Sequence, residues 1–115
     1  NLVALALKKE IEFLEDCRGI PGKLHFLQTK DKKELDFLVL QKGHSSSLFE
    51  VKMGDDSVSK NFSLFQAFFP HANKIQLVRH LSREYLSKEG VQVKSAVDYL
   101  ADLNLIHEQK ILTPQ

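Results

Sequence analysis

The sequence predicts a single α/β domain in which helices flank a central, mixed β-sheet. Three observations lead to this prediction. The chain opens with an amphipathic helical pattern over residues 1–18. Two runs with alternating apolar and polar residues follow at 23–29 and 34–42, separated by a polar turn, as in a β-hairpin. A strand, a helix and another strand then succeed one another between residues 48 and 80, and this order places two strands parallel in one sheet.

Length and composition fit one globular domain spanning residues 1–115. The chain is 43% hydrophobic and 27% charged, which suffices for a core without metal or disulfide crosslinks. Sixteen basic and fifteen acidic residues leave a net charge of +1, which argues against a broad electrostatic grip on nucleic acid but allows a local basic groove. Because the chain starts with Asn1 inside a helical pattern, we expect it to be a fragment of a longer protein.

The expected location is the cytoplasm. Cys17 is the only cysteine, which excludes an internal disulfide and favours a reducing compartment. No apolar run reaches the roughly 18 residues that cross a bilayer, and no signal peptide opens the chain, so no membrane is expected as a partner.

The first helix is expected to end near Gly19, with Pro21 just beyond it. Placing residues at 100° intervals gathers an apolar arc on one side: Leu2, Val3, Ala6, Leu7, Ile11, Phe13, Leu14 and Cys17. Glu10 falls inside this arc. A carboxylate there must be paired, protonated, metal-bound or able to reach an opening at the edge of the helix.

The remaining elements follow from runs of apolar residues and from residues that end them. A third strand is predicted at 48–53, a second helix at 57–69 that Pro70 ends, and a fourth strand at 74–80. The second helix would be capped near Ser57 or Ser59 and would bury an aromatic stripe. That stripe comprises Phe62, Leu64, Phe65, Phe68 and Phe69. A short strand at 91–95 and a helix at 95–103 follow, whereas 105–115 shows no period.

Three charged residues on two neighbouring strands form the most informative group. Glu50 and Lys52 are two positions apart, so on a strand they project from the same face. An even register between the second and third strands brings Asp36 to that face, whereas an odd register brings Phe37 and sets an apolar face against a charged one. The sequence therefore predicts a cluster of Asp36, Glu50 and Lys52, which the helix carrying Glu10 could cover.

These residue types suit phosphodiester hydrolysis. Two converging carboxylates can hold Mg²⁺, which prefers hard oxygen ligands, and the metal polarises a phosphoryl oxygen and acidifies water. An adjacent lysine can hold the attacking water or neutralise charge that develops on the phosphate. The spacing alone also fits a same-face ion pair on an exposed strand, worth under about 1 kcal/mol.

The residues from Thr29 to Lys52 resemble the core of the PD-(D/E)xK, restriction-endonuclease-like superfamily. More narrowly, they resemble the nuclease-like domain at the C-terminus of many bacterial and archaeal P-loop ATPases. A T-K-x-x-x-E-x-D-F strand in that family leads to an E-V-K strand. The matching residues here are Thr29, Lys30, Glu34, Asp36 and Phe37, then Glu50, Val51 and Lys52. The closing run 90–103 also resembles the family's final strand and helix.

The resemblance implies a restriction-endonuclease-like mixed sheet with Asp36 and Glu50 as ligands of Mg²⁺ or Mn²⁺ and Lys52 as the catalytic lysine. It implies nucleic acid as the partner, DNA ahead of RNA, and an upstream ATPase domain in the same polypeptide. The family's helix glutamate precedes the position of Asn1, and Ala6 stands where a second one is common, which leaves Glu10 as a substitute. No phosphate-binding G-x-x-x-x-G-K-[ST] loop occurs in these residues.

Two other functions stay open at this point. The domain could be a module without turnover that grips nucleic acid or docks protein for an ATPase. It could also be a dimerisation domain, a homo-oligomer for which the strand at 23–29 is the natural contact.

Overall fold

The computed structural model describes residues 2–30, 32–54 and 57–103, which form a mixed sheet of six strands with helices on both faces. The strand order is β1-β2-β3-β4-β6-β5. In chain order the elements are α1 (Leu2–Arg18), β1 (Gly22–Gln28), β2 (Glu34–Gln41), β3 (Ser47–Lys52), α2 (Asn61–Gln66), β4 (Asn73–Val78), β5 (Tyr85–Leu86), β6 (Val91–Ser95) and a helix α3 over 96–103. The predicted α/β class is confirmed.

Helix α1 covers one face of the sheet through a narrow stripe at helical spacing, comprising Val3, Leu7, Ile11 and Leu14. Gly19, at φ +65°, ends the helix, as predicted. The prediction that Cys17 belongs to the core is wrong, because its side chain is exposed. The buried stripe stops at Leu14, and the last turn of α1 carries Cys17 to the solvent.

The register of the central strands agrees with the even pairing predicted from the charge pattern. β2 and β3 are antiparallel, with Phe37 opposite Phe49 and Leu38 opposite Leu48. β3 and β4 are parallel, as the strand–helix–strand order predicted. Phe37 and Phe49 pack under α1, whereas Leu38 and Leu48 pack under α2, so each strand divides its apolar residues between two cores.

Helix α2 is shorter than predicted, since only Asn61–Gln66 is helical. Its N-cap residue, Lys60, makes no side-chain capping hydrogen bond. The Ser59 Oγ accepts one of 3.3 Å from the Asn61 N–H, in line with the predicted cap, while backbone groups of Ser57 and Ser59 bond to β4. Phe62 and Phe65 are buried as expected, but Phe68 is 68% exposed because the chain leaves the helix before it.

The last part of the sheet contains one strand that the sequence did not predict. The two-residue β5 lies in the polar stretch before β6 and pairs antiparallel to it. The strand and helix predicted at 91–95 and 95–103 are observed as β6 and α3. The segment 105–115 lies outside the described residues. Within the described ranges, none of the helices has the length and apolar character needed to cross a membrane.

Candidate functional site

Asp36 lies in a β-bulge. His25 of β1 pairs with Leu38, and Leu27 pairs with Leu35. Two residues of β2, Asp36 and Phe37, therefore face one residue of β1, Phe26. A bulge bends its strand and redirects the bulged side chain. Here the Asp36 carboxylate turns towards β3, and its Oδ2 accepts a hydrogen bond of 2.8 Å from the backbone N–H of Val51.

Glu50 meets Asp36 directly. Burial, a hydrogen bond between the two carboxyl groups and the negative charge of Asp36 raise the pKa of Glu50 from 4.5 to about 7. A hydrogen bond from the Ser59 side chain and the positive charge of Lys52 act in the opposite direction but are smaller. Near neutral pH the Glu50 carboxyl group is therefore protonated for part of the time.

Lys52 completes the predicted trio on the same face of β3. Its Nζ donates a hydrogen bond of 2.8 Å to the backbone carbonyl of Ser57, in the segment before α2. Its charge is close enough to lower the pKa of Glu50. The structure thus brings Asp36, Glu50 and Lys52 together, and the ammonium group is held at the rim of the carboxylate pair.

Gln76 is a member of the site that sequence reasoning missed. It lies beside Glu50 in the parallel register of β3 and β4, and its side chain is fully buried. Its Oε1 accepts a hydrogen bond of 2.9 Å from the Ser59 N–H, and its Nε2 donates one of 2.9 Å to the Ser57 carbonyl. Gln76 therefore fixes the segment that contacts both Glu50 and Lys52. The available signal was an amide inside the apolar second half of β4, between Ile75 and Leu77.

Gln76→Leu is expected to lower the free energy of unfolding by about 2 kcal/mol, because it leaves the part-buried Ser59 N–H without its acceptor. Urea denaturation followed by far-UV circular dichroism measures this loss. Gln92→Leu is the matched control, since Gln92 is only half-buried on the neighbouring β6, and it should change stability by less than about 1 kcal/mol. Equal effects of the two substitutions would contradict the bracing role of Gln76.

Glu10, the substitute carboxylate proposed from the sequence, lies away from the trio. Glu10 is half-buried beside Tyr99, whose pKa is raised by burial and by the charge of Glu10. The Tyr99 ring packs against Phe49, on the face opposite to Glu50, so the structure does not bring Glu10 to the trio. Glu34 is exposed and accepts a hydrogen bond from Gln28.

The carboxylate pair fits a divalent cation that keeps part of its water shell. Asp36 and Glu50 offer hard oxygen ligands in mutual contact, and burial together with the neighbouring Asp36 raises the pKa of Glu50. Among the residues that the structure describes, no three His, Cys, Asp or Glu side chains converge on one point. Magnesium suits this arrangement because it commonly binds through one or two carboxylates and retains several waters.

Comparison with known proteins gives one finding. A family model described as "Domain of unknown function (DUF4143)" matches residues 1–99. Neither the curated proteins nor the solved structures include a significant match to the sequence.

Proposed function

The chain belongs to the DUF4143 family, a family of domains of unknown function, and we propose that its Asp36–Glu50–Lys52 site hydrolyses phosphodiester bonds in DNA or RNA with Mg²⁺. The observation that carries the proposal is the direct contact between the Asp36 and Glu50 carboxyl groups. Two carboxylates in contact repel each other when ionised, and a bound dication relieves this repulsion.

The three residues have distinct roles in the proposed reaction. When bound, Mg²⁺ polarises a phosphoryl oxygen and acidifies water. Asp36 and Glu50 hold the cation, and the Val51 N–H fixes the orientation of the Asp36 carboxylate. Lys52 lies next to them with an ammonium group that can position the attacking water and neutralise charge on the phosphate in the transition state.

The Ser57–Ser59 segment supports this arrangement. The Ser57 carbonyl accepts from both Lys52 and Gln76, and Ser59 contacts Glu50 through its side chain. The buried Gln76 amide bonds to both ends of this segment, at the Ser57 carbonyl and the Ser59 N–H. The side chains of Glu50 and Lys52 are therefore restrained before any substrate binds.

The proposal also covers the superfamily of the domain, the domain to which it is attached and its substrate. The resemblance of residues 29–52 to the PD-(D/E)xK superfamily supports a nuclease-like domain, and it supports attachment to an upstream P-loop ATPase domain in the cytoplasm. The observed mixed sheet, with the acidic residue on a bulged β2 and the E-V-K run on β3, agrees with this resemblance. DNA is the proposed substrate ahead of RNA.

Magnesium affinity is expected to fall about tenfold for each pH unit below 7 and to level off above it, because Glu50 must lose its proton before it binds the cation. Isothermal titration of the chain with MgCl₂ at pH 6, 7 and 8 measures this dependence. In Asp36→Asn the neighbouring charge is gone while the burial of Glu50 remains, so the pKa of Glu50 falls and binding, though weaker, should depend less on pH in this range. An affinity that does not change between pH 6 and 8 in the wild type would contradict cation binding at Glu50.

A binding module without turnover is the second candidate function. Its supporting observation is that the Lys52 ammonium already bonds to the Ser57 carbonyl, while Glu10 lies on the other face of the sheet. Such a module would bind a DNA duplex without cleaving it when Mg²⁺ is present. Incubation of labelled DNA with the chain, read by gel shift and by product length on a denaturing gel, distinguishes the two functions.

A further inference from the structure

Strand β1 is an exposed edge of the sheet. It pairs with β2 on one side and forms one end of the strand order. It is seven residues long, and Pro21 lies just before it, so no proline interrupts the backbone groups along its free edge. Long edge strands without such protection are templates for pairing with another strand. The opposite edge, β5, has only two residues.

An apolar groove of about 750 Å³ runs between α1 and β1. Leu2, Leu5 and Phe26 lie along it and are 78%, 50% and 75% exposed. The Phe26 ring packs against the buried Phe37, at 5.5 Å between ring centroids. Three large apolar side chains around one groove indicate a surface that another protein covers.

The charges of the groove are arranged to complement a second copy of themselves. Lys8 lines it in the N-terminal half of α1, Glu12 and Glu15 line it one and two turns later, and Lys23 lines it from β1. A two-fold axis reverses this order in the second copy, because such an interface uses the same surface twice. Each Lys8 then approaches Glu12 of the other chain, and the reverse contact forms at the same time.

The geometry of the sheet permits both contacts together. If two β1 strands pair antiparallel at about 4.8 Å about an axis normal to the sheet, both α1 helices lie on the same face. Since α1 contacts β1 and its outer edge lines the groove beside that strand, the two helices face each other across the joined strands. The groove of each copy is then closed by the helix of the other.

We propose that the chain forms a two-fold homodimer in which antiparallel β1 strands join the two sheets and each α1 covers the apolar groove of the other copy. The occupant of the groove is therefore a second copy of this chain. The Asp36–Glu50 site lies on β2 and β3, outside the joined β1 strands. The proposed dimer therefore does not depend on the proposed activity of that site.

Charge exchange on α1 tests this dimer. Analytical ultracentrifugation of the 13.2 kDa chain should show a species of twice that mass that dissociates on dilution. Lys8→Glu should raise the dissociation constant at least about tenfold, because both symmetric attractions become repulsions. The double variant Lys8→Glu/Glu12→Lys should restore the wild-type value, a recovery that a folding defect would not show.

Lys9→Glu is the matched control, because it makes the same charge change on the exposed side of α1, one residue from the groove. It should leave the dissociation constant unchanged. A wild-type chain that stays monomeric at every concentration overturns the proposal and leaves the groove to a different protein or segment. Equal weakening by Lys8→Glu and Lys9→Glu, or failure of the double variant to recover, overturns it as well.

Discussion

Lys52→Ala is expected to lower the rate of Mg²⁺-dependent DNA cleavage by about 10²–10³-fold, because it removes the one cation of the trio that can neutralise charge on the phosphate in the transition state. The carboxylate pair keeps its ligands in this variant, so Mg²⁺ affinity should change by less than about tenfold. The measurement is the initial rate of plasmid nicking at saturating Mg²⁺, together with calorimetric titration of the cation. A large loss of rate with retained cation binding assigns Lys52 to the chemical step.

Lys60→Ala provides the control for Lys52→Ala. Lys60 is exposed and follows Ser59 directly, so it carries the same charge close to the site, and it is not among the groups that shift the pKa of Glu50. Its replacement should leave the rate within about twofold. Equal cleavage by wild type and Lys52→Ala would remove the lysine from the mechanism, and absence of cleavage in the wild type would favour the module without turnover.

The placement of the trio was predictable because side chains alternate between the two faces of a strand, so spacing in the sequence determines which residues share a face. Glu50 and Lys52 share a face on any strand, and burial of Phe37 and Phe49 on one face forces the register that brings Asp36 to Glu50. The bulge at Asp36 and Phe37 was not predictable. It arises from the pairing of β1 with β2, and no glycine near Asp36 marks it.

The extent of α2 was mispredicted because a distant side chain competes for its first turn. Ser57 and Ser59 are good capping residues, which favoured a helix start there. In the structure the backbone groups of both serines bond to the Gln76 amide on β4, so the helix begins only at Asn61. Residue 76 is at least 17 positions away from both serines, and no local pattern encodes such a contact.

Glu50→Gln is expected to stabilise the chain in the absence of metal at pH 8 while lowering its Mg²⁺ affinity at least about 100-fold. The pKa of Glu50 near 7 means that the fold favours the neutral carboxyl group, and glutamine keeps its size without acquiring charge. At pH 8 the wild-type group is ionised beside Asp36, and this repulsion is absent in the variant. The gain should be about 1 kcal/mol, which is less than the full pKa shift implies because the group is only half-buried.

The dependence on pH follows from proton linkage. Between pH 4.5 and about 7 the folded wild type binds more protons than the unfolded chain, because folding raises the pKa of Glu50. The contribution of this group to stability is therefore fully present at low pH and is lost as the pH rises through 7. Glu50→Gln should lack this loss. The melting temperatures of the two proteins should therefore be equal near pH 5 and differ by about 4 °C at pH 8.

Magnesium should reverse the order of the two melting temperatures. A ligand that binds only the folded state, at 100 times its dissociation constant, raises the free energy of unfolding by about 2.7 kcal/mol. Magnesium should stabilise the wild type in this way but not the variant. Glu34→Gln removes an exposed carboxylate two positions before Asp36 and should behave as wild type in both conditions. A Glu50→Gln variant that melts lower than wild type in metal-free buffer at pH 8 would mean that the ionised carboxylate stabilises the fold, and the pair would then be a structural element rather than a cation site.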